Sequence, residues 1–210
     1  MRKKLVFVHV PKTGGSAIVD SLKNHQLIVW RHNSMQKEYT PLGYSKMGRK
    51  HALLHRVGLS NLEVFWVIRD PVSRFVSAYN YLENGGWEGH QKHIKEAFLD
   101  PHKTIEDFVF NGLKKAIEHK VPHFLPQAFW VSSSNGKLLP GTSLRQESLQ
   151  EDLNRYLSRL SLPECSLLRV NDKVPKKILR RELGEDIVRK IQKTYDQDYT
   201  LFGFHKETIN

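Results

Sequence analysis

The chain has 210 residues, 39% of them hydrophobic and 26% charged, with a formal net charge of +11. That length suits one domain with a sizeable core, and the balance is that of a globular rather than a disordered chain. No apolar run reaches the ~18 residues of a bilayer span, and the one cysteine, Cys165, leaves neither an intrachain disulfide nor a cysteine-built zinc cluster.

The first element is "LVFVHVPKTGGSAIVDSL" (Leu5–Leu22): an apolar strand, a glycine-containing turn and a helix. The apolar run ends at His9, Pro11 and Lys12, too short for a signal peptide and without its cleavage site, so a cytoplasmic chain is expected. A strand running through glycines into a helix is an anion site by construction. Gly14 and Gly15 let backbone approach a ligand, and the helix opens with unpaired N–H groups. Lys12 adds a mobile charge, and Thr13 and Ser16 add hydroxyls. The lysine precedes the glycines, however, whereas the ATP and GTP loop requires G-x-x-x-x-G-K-[ST].

"LEVFWVI" (Leu62–Ile68) is a second continuously apolar strand, as expected of a parallel sheet covered on both faces. In the "DPVSRFVSAYNYL" that follows, Asp70 is the expected helix cap and Pro71 the first helical residue. Val72, Phe75, Val76 and Tyr79 make one core stripe, which leaves Ser77 off the core beside Ser73. Arg69, at the strand end, can fork onto a phosphate. Arg74 reads as a surface ion-pair residue.

Gly85–His93 is expected to be an exposed loop. Thr104–His119 is expected to be a Thr104-capped helix with Ile105, Phe108, Val109 and Leu113 inward. Ser132–Gly141 reads as a turn around a short strand, and "QESLQEDLNRYLSRL" as a helix burying Leu149, Leu153, Tyr156, Leu157 and Leu160. "CSLLRV" is a candidate strand, and Lys176–Tyr195 holds one or two basic helices. The alternation predicts an α/β fold, one domain over residues 1–210, with a central, mainly parallel sheet flanked by helices. Ligands of such folds sit beyond the carboxyl ends of the strands, where Pro11–Ser16 and Arg69–Asp70 fall.

Taken together, "VFVHVPKTGGSAI" and "VIRDPVSRFVSAYNYL" are similar to the 5'-phosphosulfate loop and the 3'-phosphate segment of sulfotransferases. These enzymes use 3'-phosphoadenosine 5'-phosphosulfate (PAPS). The chain resembles the carbohydrate-type group, which includes heparan 2-O-sulfotransferase-like proteins and bacterial relatives. "KHALLHRV" resembles a "KHATA"-like stretch of bacterial members, and "LRQESLQEDLNRYLSRLSL" an "R-x-E-N-L" helix. "LLRVNDK" and "YDQDYTLFGF" are similar to the end of the domain. The resemblance spans nearly the whole chain and implies a P-loop-like fold.

It further implies that Lys12 lies on the 5'-phosphosulfate, with the amides of Thr13, Gly14, Gly15, Ser16 and Ala17 cradling its oxygens. Arg69 and Ser77 would hold the 3'-phosphate, which distinguishes PAPS from ATP. The product would be adenosine 3',5'-bisphosphate. The base that takes the acceptor proton would be His51, with His55, one helical turn on, or a carboxylate such as Glu63 as alternatives. His51 and His55 show no third metal ligand, and the family's transfer needs no metal. Asn171 and Lys173 are weaker candidates for contact with cofactor or acceptor. Gln127 and Trp130 are candidates for the acceptor cleft or equally for the core, with Phe129 assigned to the core.

The expected acceptor is a hydroxyl on a saccharide or glycan, chosen by the loops Asn24–Lys50 and Glu83–Lys103, and nucleic acid is not expected as a partner. Two rival readings compete with this one. A nucleotide kinase or hydrolase lacks the lysine after the glycines and has only Asp70 at a strand end to hold Mg²⁺. A non-catalytic basic module binding nucleic acid or acidic glycan accounts for the charge but leaves the paired loops without a purpose.

Overall fold

The computed structural model describes residues 4–22, 27–30, 62–133, 136–167 and 178–206. In chain order its longer elements are β1 (Lys4–Val8), α1 (Gly15–Ser21), β2 (Leu27–Trp30), β3 (Leu62–Ile68), α2 (Pro71–Glu83), β4 (Thr142–Arg145), α3 (Leu149–Arg159), α4 (Glu185–Thr194) and α5 (Asp196–Phe202). The chain divides into two compact units: Met1–Arg69 with Gln127–Val170, and Asp70–Pro126 with Asn171–Asn210.

The first unit is built on a sheet of order β2-β1-β3-β4 in which every neighbouring pair is parallel. Parallel strands need crossovers that cover both faces, which explains why β1 and β3 are apolar on both sides. Leu5, Phe7, Phe65 and Val67 share one face and pack with Ile18 and Leu22 beside α1 and with Leu149, Leu153, Tyr156 and Leu157 of α3. Phe65 is the hub, its ring 5.1 Å from Phe7 and 5.0 Å from Tyr156. The α3 stripe is as the periodicity predicts, with Leu160 half-buried at its end. Because β1 and β3 run the same way, with Val8 beside Trp66, their carboxyl ends emerge at one edge of the sheet.

Two strand expectations need correction. Within Ser132–Gly141 the described residues hold a single antiparallel bridge, Ser132 to Leu138, and the strand comes immediately after it as β4. Among the described residues β4 pairs with β3 alone and buries only Leu144, so its sequence, "TSLR", carries almost no apolar signal. In "CSLLRV", Cys165–Leu167 forms no strand, and the remainder lies outside the described residues.

In the second unit, α2 opens as its sequence predicts. Asp70 Oδ1 accepts the Ser73 N–H at 2.7 Å, and Pro71 takes the first helical position. Val72, Phe75, Val76 and Tyr79 are all buried, and Phe75 packs with Phe108 and Phe124. Arg74 corrects the surface ion-pair expectation. It is fully buried, donating to the carbonyls of His123 (3.2 Å) and Leu125 (2.7 Å), with its guanidinium over the Tyr195 ring.

Thr104 caps the helical run over 105–118 by accepting the Asp107 N–H at 3.0 Å. Phe108, Val109 and Leu113 point inward, Ile105 is half-buried, and Phe108–Gly112 is wound as a π-helix. Within Gly85–His93 the two leading glycines are buried and Trp87–Gly89 forms a 3₁₀ turn, while Glu88–His90 is exposed as expected. No helix among the described residues is long and apolar enough to cross a membrane.

Candidate active site

The loop between β1 and α1 is shaped by three backbone decisions. Lys12 takes a left-handed conformation (φ 68°), unusual for a residue with a side chain. Thr13 is buried and its hydroxyl donates to the Val10 carbonyl at 3.0 Å, so this hydroxyl closes the turn instead of facing a ligand. Gly14, at φ 93°, then swings the chain into α1.

The Gly14 carbonyl accepts the N–H groups of Ala17 (3.1 Å) and Ile18 (3.4 Å). Helical bonding therefore starts at Ala17, and the N–H groups of Gly15 and Ser16 stand at the open end of the helix. Ser16 is exposed, and Gly15 is buried against His9: a Cβ there would lie 2.2 Å from His9 Cδ2. His9 stacks on Phe7, two residues back along β1, at 5.8 Å between ring centroids. The strand alternation carries that signal, since residues two apart share a face, yet the sequence reading passed His9 over.

Arg69 follows β3 at the same edge of the sheet and is half-buried. Its Nη1 donates to the Lys12 carbonyl at 3.4 Å, bringing together two segments 57 residues apart. Its own backbone is held by Gln127, which accepts the Arg69 N–H at 2.9 Å and donates to the Arg69 carbonyl at 2.8 Å. Gln127 is thus a buried backbone clamp and does not line an acceptor cleft. Trp130 is buried too, which matches the core reading of that residue, whereas Phe129, expected in the core, is only half-buried. Both belong to one short helix (Ala128–Val131), where adjacent residues point about 100° apart and only one can face the core.

Ser77 stands on α2 in the second unit, half-buried like Ser73 and on the helix's less buried side. Asp70, the carboxylate that a kinase reading would assign to Mg²⁺, caps α2 and pairs with Arg180, which also donates to the Ser73 hydroxyl at 2.9 Å. Arg180 is a partner that the sequence reading did not anticipate.

Glu63 is corrected as a candidate base. It lies opposite Leu5, one residue into β3, about 20 Å along the strand from Arg69 at 3.3 Å per residue. Its charge acts instead on Tyr156, whose phenol is pushed up chiefly by burial and further by Glu63, with Arg159 opposing. His51, His55, Asn171 and Lys173 lie outside the described residues.

The arrangement at the sheet edge gathers, in one cradle, groups with the chemistry to hold an anion: backbone N–H groups, a lysine held in a set turn and an arginine clamped beside it. A comparison with curated proteins finds no match. The family model described as "Sulfotransferase family" matches residues 1–205, nearly the whole chain and both arms of this cradle, and the chain belongs to the sulfotransferase family.

Proposed function

We propose that this protein transfers the sulfuryl group of PAPS to a hydroxyl of a saccharide or glycan, with His51 as the general base. Sulfuryl transfer to a hydroxyl-bearing acceptor follows from the family, whose members generally use PAPS. The donor supplies an activated sulfuryl group on a phosphate leaving group. The observation that carries the reading is the bond from Arg69 to the Lys12 carbonyl, because it joins the two motif segments at one sheet edge.

The residues fit that donor. The open N–H groups of Gly15 and Ser16, with the backbone of Thr13 and Gly14, suit tetrahedral anionic oxygens. Lys12 stabilises the negative charge that develops on the departing phosphate, a task for a preorganised cation. Arg69 takes the 3'-phosphate through its planar fork, and the motif assigns Ser77 to the same phosphate. His51 accepts the acceptor's hydroxyl proton, since an imidazole titrates near neutral pH and suits that transfer.

Thermal unfolding with adenosine 3',5'-bisphosphate, ATP–Mg²⁺ and a DNA oligomer tests the reading. The bisphosphate is expected to raise the melting temperature, and Lys12→Ala and Arg69→Ala each to reduce that shift. Stabilisation by ATP–Mg²⁺ or DNA alone would sink it. His51→Ala is expected to keep bisphosphate binding while abolishing transfer, whereas retained turnover assigns the base to His55 or to a carboxylate.

A further inference from the structure

Gln127 is fully buried, and both ends of its amide are used on one residue 58 positions away. Its Oε1 accepts the Arg69 N–H at 2.9 Å and its Nε2 donates to the Arg69 carbonyl at 2.8 Å. This two-way exchange is what a residue of a neighbouring strand would offer. The β3–β4 ladder ends at the Ile68–Arg145 pair, so Arg69 is the first residue beyond it. Gln127 acts there as a one-residue substitute for a strand.

The clamp matters because of what Arg69 reaches. Its guanidinium sits on a long, flexible stem, and the direction of that stem depends on the backbone from which it starts. With the Arg69 peptide groups held on both sides, Nη1 meets the Lys12 carbonyl at 3.4 Å, in the turn where Lys12 is left-handed. A purely space-filling residue at 127 would leave the Arg69 N–H and carbonyl to find other partners.

We propose that Gln127 is a positioning residue of the donor site, which sets the Arg69 guanidinium for the 3'-phosphate and so helps the enzyme distinguish nucleotides with that phosphate from those without it. The proposal rests on the assignment of Arg69 to the 3'-phosphate made above. Gln127 touches neither donor nor acceptor in this role; it acts through Arg69.

The test is calorimetric affinity for adenosine 3',5'-bisphosphate and for AMP, which lacks the 3'-phosphate, in wild type, Arg69→Ala, Gln127→Met and the double variant. Gln127→Met keeps the side chain's length and removes both hydrogen bonds. It is expected to lower the preference for the bisphosphate about tenfold, the worth of roughly one hydrogen bond from Arg69 to the 3'-phosphate, with AMP affinity unchanged. The double variant is expected to show no further loss than Arg69→Ala, because both changes act on one interaction.

If Gln127→Met fails to fold, Gln127→Asn carries the same expectation, since it keeps a polar amide at 127 but is one methylene too short to bond both the Arg69 N–H and its carbonyl. A preserved preference in the variant that folds, or losses that add in the double variant, overturns the proposal while leaving the donor site standing. A wild type that binds AMP as tightly as the bisphosphate overturns the donor-site reading itself, and the role of Gln127 with it.

Discussion

At Gly14 the backbone enters the left-handed region, φ 93°, where any side chain is strained by about 1–2 kcal/mol whatever space surrounds it. At Gly15 the constraint is the His9 ring, 2.2 Å from where a Cβ would stand. The two neighbours therefore predict different genetics. Gly15→Ala is expected to destabilise the fold by about 1–3 kcal/mol as an overpacking change, and to weaken bisphosphate binding by displacing the loop. Adding His9→Ala is expected to restore most of both losses, because it removes the atoms that clash. The same His9→Ala is expected to do nothing for Gly14→Ala, whose strain lies in the backbone. Thermal unfolding with and without bisphosphate reads all five proteins, and a Gly15→Ala defect that His9→Ala leaves untouched would show that the ring is not the obstacle.

Among the elements, those with a strong period were legible from sequence and those with mixed duties were not. β1 and β3 stood out because both faces are buried, and α3 because Leu149, Leu153, Tyr156 and Leu157 recur at helical spacing. β4 was missed because only Leu144 is buried among its four residues. α2 was legible on its apolar stripe but misread at Arg74, because a charge is assigned by habit to the surface. The partners that bury it lie far along the chain: the carbonyls of His123 and Leu125 and the ring of Tyr195. In the candidate site the glycine turn and the Arg69 strand end were legible, while the residues packed or bonded behind them, His9 against Gly15 and Gln127 on the Arg69 backbone, were not. Arg74 joins α2 to the turn at 123–125, and the Tyr195 hydroxyl donates to the Phe124 carbonyl of the same turn at 2.8 Å. A lysine has no fork to reach two carbonyls and stack on a ring together. Arg74→Lys is accordingly expected to cost about 3 kcal/mol, read as a lower urea midpoint, by stranding buried polar groups. An unfolding free energy within about 0.5 kcal/mol of wild type, the range of ordinary surface changes, would return Arg74 to a surface-like role.

For the whole molecule the governing quantity is the net charge of +11, of which Lys12 and Arg69 account for only two of the 33 basic residues. A donor site needs a few well-placed cations, so the remainder acts as a field around the protein. Such a field raises the encounter rate with anionic ligands, by tenfold or more in a favourable geometry, and it is screened over about 8–10 Å at physiological salt. If the acceptor is an acidic glycan, the excess is functional and should appear in the second-order rate constant. With the donor saturating, so that its own binding does not limit, kcat/KM for an acidic oligosaccharide is expected to fall about tenfold between low and high salt. A neutral oligosaccharide of the same length is expected to change little, because it gains nothing from the field. A rise in ionic strength that slows both acceptors equally would place the salt effect on the enzyme's own structure. Loss with the acidic acceptor alone would tie the basic surface to acceptor capture, a role separate from the chemistry proposed for Lys12.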